Sequence, residues 1–211
     1  MTTGRGIALA FLFLVASADE AAAHSPIPGM QGFYLGMLHP LSTPPQLLSL
    51  LAAGLLLGLR WPGPFRYCWP AFAVSCLAGI ALGQWGWLRG LEDTALLAGG
   101  IAAAILAALL TPKLTAPCVA ISAWTGLFLG VASIPDEGPA WPVIVTLAGS
   151  FVGANLALVY LAFAVGSLRA RFTAQWVGIG LRIAAAWIAA VAALMLALLL
   201  VDPTSGGGTG M

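Results

Sequence analysis

Ile183-Ala-Ala-Ala-Trp-Ile-Ala-Ala-Val-Ala-Ala-Leu-Met-Leu-Ala-Leu-Leu-Leu-Val201 holds no charged side chain, no glycine and no proline. A helix of about 20 such residues crosses the roughly 30 Å hydrocarbon layer of a bilayer. Leu96–Leu110 repeats the pattern with Ala, Leu and Gly. Only helices and closed barrels satisfy their backbone groups in lipid. A barrel would alternate apolar and polar residues over strands of about ten. These runs are continuous, so they read as helices. The whole chain agrees: of its 211 residues 61% are hydrophobic and 7% charged, and the mean hydropathy is +1.00. So few charges cannot solvate a soluble globule of this size. A water-soluble enzyme and a disordered chain are excluded, and a formal net charge of +1 leaves no basic surface for nucleic acid. The fold class expected is an all-α membrane protein.

Outward from that stretch, spans are expected near 44–59, 68–88, 94–111, 117–134, 143–166 and 176–200. Proline, glycine and charge mark the breaks: Arg60-Trp-Pro-Gly-Pro-Phe-Arg66, Arg89-Gly-Leu-Glu-Asp93, Thr111-Pro-Lys-Leu-Thr-Ala-Pro117, Pro135-Asp-Glu-Gly-Pro139 and Ser167-Leu-Arg-Ala-Arg171. Proline lacks a donor and glycine costs backbone entropy, so both end helices. Residues 30–43 are also apolar but are interrupted by Pro40, with Pro44 and Pro45 following. A short half-helix or re-entrant piece is expected there before the first full crossing. Non-helical backbone at that depth must be covered by protein or line a cavity, so a polar site belongs at this break.

At the amino end, Arg5 precedes the apolar run Ile7–Ala16 and small residues follow. This reads as a signal peptide over 1–23. Cleavage could follow Ala18 or Ala23, and the second choice makes His24 the first mature residue. An uncleaved signal anchor fits the same pattern. Residues 24–201 then form one transmembrane domain, and 202–211 a flexible Gly-rich tail. A secretory signal puts residue 24 outside the inner membrane. The inside loops 60–67, 112–116 and 167–175 then carry Arg60, Arg66, Lys113, Arg169 and Arg171. The outside segments carry Glu92, Asp93, Asp136, Glu137 and Asp202, with Arg89 against the trend. That is the positive-inside pattern, with both termini periplasmic. Trp61, Tyr67 and Trp69 fit an inner aromatic belt, and Trp85, Trp87 and Trp141 an outer one.

Glycines four apart recur at Gly54/Gly58, Gly79/Gly83, Gly126/Gly130 and Gly149/Gly153. Each pair lets another backbone approach closely. Recurrence on several helices points to packing within one bundle; a homo-oligomer face is the alternative. Catalytic motifs are absent: no G-x-S-x-G, no H-E-x-x-H, no P-loop. No acid falls within the spans as drawn, so a non-enzyme is expected. Cys68, Cys76 and Cys118 are odd in number without C-x-x-C, which implies no disulfide framework. They read as buried thiols, with a soft-metal pair of Cys68 and Cys118 as the alternative. Arg182, about two turns into the last span, can snorkel to the inner surface. Asn155 and Gln84 are in-membrane amides of the kind that bond a neighbouring helix.

His24 and His39 are the remaining chemistry. Imidazole is a common ligand for nickel, copper and zinc, and His24 at a mature terminus would add its amine. Two histidines alone are too few for a closed metal site. Spacing by itself fits equally a polar linker at His24 and a hydrogen-bonded helix end at His39.

The stretch Gly32-Phe-Tyr-Leu-Gly36-Met-Leu-His39-Pro40-Leu, leading into Gln46-Leu-Leu-Ser-Leu-Leu-Ala-Ala-Gly54-Leu-Leu, resembles the HupE/UreJ family. These are membrane proteins associated with hydrogenase and urease maturation. The match is good over roughly residues 24–58 and compositional beyond. The resemblance implies a signal peptide, a histidine soon after it, about six helices and a G-F-x-x-G-x-x-H-P opening. Some of the family are nickel permeases or proposed to be. The metal-transporting branch continues H-P-x-x-x-x-D-H, whereas Pro45 and Gln46 stand at those last two positions here. It also carries a later His-rich motif, and this chain has no histidine after His39. What carries over is His39 with Pro40, while Gln46 offers a weak oxygen ligand. The expectation is an outward-facing port of His24, His39 and Gln46 for transported nickel or another divalent metal, with no resident cofactor implied. The alternative is an accessory or scaffold subunit whose glycine faces meet a metalloenzyme assembly partner. The lipid bilayer is a partner in either case.

Overall fold

A computed structural model describes residues 31–109, 115–135, 139–172 and 174–201. The expected signal segment, His24 and the Gly-rich tail lie outside these residues. The described chain is helical throughout: α1 (Gln31–Ser42), α2 (Pro44–Gly58), α3 (Phe65–Gln84), α4 (Glu92–Leu109), α5 (Thr115–Ala132), α6 (Ala140–Arg171) and α7 (Gln175–Leu200). Five of these, α3 to α7, are long and apolar enough to cross a membrane. The pair α1 and α2, bent by 72° at its break, passes the same test together, which brings the number to six where the pair counts as one crossing.

The bend follows from proline chemistry. Pro44 and Pro45 occupy the first turn of α2, where a missing N–H is harmless. As a continuation of α1 they would leave two carbonyls without donors. The residue before a proline is driven to extended backbone, and Thr43 adopts φ −97°, ψ 115°. Hydroxyls close the frayed end: Ser42 Oγ and Thr43 Oγ1 both donate to the His39 carbonyl, at 3.0 and 3.1 Å.

Glycine contacts give the directions of the helices. A Cβ on Gly36 would overlap the Thr146 carbonyl and crowd Ser150 N; one on Gly54 would meet Leu161, and one on Gly58 would meet Val165. Rising numbers pair with rising numbers, so the bent pair runs alongside α6 in the same sense, α1 on its first half and α2 on its second. α3 and α5 are likewise parallel, since Gly126 abuts Phe72 and Gly130 abuts Cys76. All four G-x-x-x-G pairs are thus occupied by neighbours within the chain. α2 lies at the centre, with Leu50, Ala52, Leu56 and Leu57 almost fully buried. It packs on α4 and α6, while α7 lies against α4.

One helix stops short of its expected end. α3 ends at Gln84 rather than near 88, because Gly86, Leu88 and Gly90 all take positive φ (78°, 66° and 83°). Trp85, Gly86, Trp87 and Leu88 read as apolar helix by composition, but they form turns with both tryptophans exposed. α6 is the opposite case, running from Ala140 to Arg171 beyond the stretch 143–166. Arg169 and Arg171 fall in its last turn, where cations are favoured by the helix dipole. The cysteines are free and buried.

Candidate functional site

The G-x-x-x-G-x-x-H spacing acquires a geometric meaning on α1. Positions i, i+4 and i+7 share one helical face. Gly32 and Gly36 press that face against α6 at Thr146 and Ser150. His39 follows on the same face and is half-buried, whereas Tyr34, Leu35, Leu38 and Leu41 point outward and are exposed. The glycines therefore bring the imidazole into the bundle.

There His39 meets Gln46 from the other side of the break. Its Nε2 lies 3.3 Å from Gln46 Nε2 and 3.4 Å from the Ala132 carbonyl oxygen. With its proton on Nδ1 the ring accepts from the Gln46 amide; with the proton on Nε2 it donates to Ala132. Gln46 Nε2 also donates to Ala132 O at 3.4 Å, which fixes the amide orientation. The other end of that amide, Oε1, is buried and has no hydrogen-bond partner among the described residues.

His39 and Gln46 line a cavity of about 470 Å³ whose walls include Thr43, Thr146, Ser133, Glu92 and Asp93. The acids were expected in an outer loop. Instead Glu92 opens α4, with Asp93 beside it in the first turn, and both face the half-broken first span. Glu92 Oε2 is a second buried acceptor without a partner among the described residues. Carboxylates at a helix N-terminus are favoured by the dipole. The signal available in sequence was an acidic pair at a span boundary; its level relative to His39 was not. Among the described residues no group of three or more His, Cys, Asp or Glu is arranged to hold a metal ion. The cavity therefore offers dispersed donors: one ring nitrogen, one amide oxygen, two carboxylates and the carbonyls at the end of α5.

A hydroxyl relay braces the cavity floor. Ser150 Oγ donates to Ser133 Oγ at 2.7 Å, and Ser133 Oγ donates to the Leu129 carbonyl at 2.7 Å. Both serines are buried. Replacing Ser150 by alanine removes one buried hydrogen bond between α5 and α6 but leaves Ser133 its own acceptor. The expected loss is about 1 kcal/mol, read as a small downward shift in thermal unfolding in detergent.

The other sequence-singled polar residues lie elsewhere. Asn155 ties α6 to α3: Trp69 Nε1 donates to its Oδ1 at 3.1 Å, and its Nδ2 donates to the Phe151 carbonyl at 2.8 Å. Gln84 is the exposed last residue of α3. Arg182 is exposed on α7 and lines a separate cavity with Arg169.

With this geometry in place, comparison with known proteins is decisive for the family. The profile of the family described as "HupE / UreJ protein" matches residues 12–196. The chain belongs to the HupE/UreJ family. That match extends far past the 24–58 stretch on which the resemblance was visible, and takes in α1 to α6 and most of α7. No curated protein and no solved structure matches the chain. This HupE/UreJ protein is thus a helical membrane protein of the family with a polar cavity at the break between α1 and α2.

Proposed function

We propose that this protein passes nickel or a related divalent cation across the inner membrane, and that the cavity around His39 is the port where the ion enters from the periplasmic side. The observation that carries this reading is the pair of unpartnered buried acceptors, Gln46 Oε1 and Glu92 Oε2, on two residues that line the same cavity as His39. Buried acceptors without donors are costly, and a cation with its remaining waters relieves both. Conduction requires binding that is favourable on arrival yet weak enough for release. Dispersed oxygen donors around one imidazole meet that requirement better than a closed cage. A broken helix that exposes its carbonyls at such a site is a recurrent transporter device.

The test is uptake of labelled nickel by cells with and without the protein, followed by His39→Ala and Glu92→Gln. Each substitution is expected to cut uptake about tenfold or more at unchanged membrane abundance. Equal uptake by wild type and both variants would remove the port from consideration.

A second reading is favoured by the same shortage of ligands. Among the described residues no three-ligand group exists, which suits an accessory or scaffold subunit of a metalloenzyme assembly. On that reading, wild-type cells show no uptake above background, and the protein is recovered from membranes with an assembly partner.

A further inference from the structure

At the opposite end of the bundle, where α6 gives way to α7, a second cavity of about 490 Å³ is lined by Arg169, Phe172, Gln175, Val177, Gly178 and Arg182 among others. Two guanidinium groups therefore share one cavity, and among the described residues no acidic one lines it. Arg169 donates to the Leu59 carbonyl, which anchors it at the end of α2. Arg182 makes no hydrogen bond or ion pair with any described residue. It lies about two turns inside α7, a depth from which an arginine side chain can snorkel to headgroup level. Like charges gathered at that depth are unfavourable unless an anion joins them.

We propose that this cavity binds the phosphate of an anionic phospholipid. Arg169 and Arg182 would grip the phosphate oxygens, a planar-fork match that arginine makes well. A lipid is favoured over a free phosphate by what lies next to the cavity. Ile179, Ile183, Trp187 and Leu194 continue along α7 as exposed apolar side chains, and side chains at Gly178 and Gly180 would meet nothing within 4 Å. A headgroup held by the arginines has an open apolar track for its chains. With the positive-inside orientation, the leaflet concerned is the cytoplasmic one, and basic pockets between membrane helices on that side are suited to anionic headgroups.

The experiment is native mass spectrometry of the full chain in equimolar phosphatidylglycerol and phosphatidylcholine. Wild type is expected to retain phosphatidylglycerol preferentially. Arg182→Gln and Arg169→Gln should each lower that retention about fivefold, and the double variant about 25-fold. Arg171→Gln is the control, since Arg171 is close in sequence yet outside the cavity lining, and it should change retention less than twofold. If Arg169→Gln fails to fold for want of its Leu59 contact, Arg182→Gln alone decides the matter. Equal loss in Arg171→Gln would overturn the site in favour of diffuse surface charge. Retention unchanged in Arg182→Gln would overturn it outright. Competition by millimolar inorganic phosphate, at the same strength as added lipid, would show a soluble anion in place of the lipid.

Discussion

Gly130→Leu should be the most damaging single change in the bundle, with an expected loss of about 3 kcal/mol or more and little folded protein recovered from detergent. α3 and α5 meet backbone to backbone. A Cβ at Gly130 would overlap the Cys76 carbonyl oxygen and stand 2.9 Å from Ile80 N; one at Gly79 would overlap the Leu127 carbonyl. The obstacles are main-chain atoms, so no rotamer change on α3 relieves them and the helices must separate. Between membrane helices, close packing supplies most of the attraction, because lipid tails are as apolar as the helix faces. Separation therefore forfeits the seam along its length, including the contacts at Gly126 and Gly83. It also shifts Ala132 and Ser133, which wall the His39 cavity. Gly178→Ala is the matched control. Nothing stands within 4 Å of a Cβ there, so it should be neutral or stabilise by up to about 1 kcal/mol through helix propensity. Thermal unfolding of both variants in the same detergent reads the contrast. A Gly130→Leu midpoint within about 2 °C of wild type would mean that the α3–α5 seam is not tight in the membrane.

Much of this architecture was legible because lipid leaves a helix few options. Span lengths follow from bilayer thickness, and breaks follow from proline and glycine. Pro40, Pro44 and Pro45 announced the bend between α1 and α2, although not its 72°. The tryptophan-rich turn after α3 was misread because Trp85, Trp87 and Leu88 look the same to a hydropathy count in a helix or at an interface. Their positive-φ neighbours Gly86 and Gly90 were the better guide. The site was half legible. His39 stood out as one of two histidines, placed beside the break, and Gln46 because it stands where the resembled pattern has its second histidine. Glu92 did not, since its place in the cavity depends on where α4 begins relative to His39, and helix adjacency is not written in any local pattern. The glycine pairs showed that backbones touch, but only the fold says which ones: Gly149 and Gly153 receive Phe33 and Met37 of α1, and so help seat the histidine.

Gln46→His tests the port from the opposite direction, by addition. Gln46 occupies the position where the metal-transporting pattern resembled by this chain has its second histidine. Its Nε2 already stands 3.3 Å from His39 Nε2. Two imidazole nitrogens bound to one ion at about 2.0–2.1 Å each stand roughly 3 Å apart. A histidine Nε2 also lies the same number of bonds from Cβ as the glutamine Nε2 it replaces. The variant therefore needs little backbone movement to form a two-nitrogen site. It removes the stranded Oε1 and leaves Glu92 and Asp93 as oxygen donors in the same cavity. Nickel favours imidazole over amide oxygen, so binding of labelled nickel to the purified protein in lipid should tighten about 10- to 100-fold. Adding His39→Ala to the variant should return affinity to the weak wild-type range, since the new ring then has no nitrogen opposite it. Transport need not rise in step: a site that holds its ion harder releases it more slowly, and uptake at saturating nickel should fall even as uptake at trace nickel improves. Unchanged affinity in Gln46→His would separate His39 from any ion path and leave the cavity a structural one.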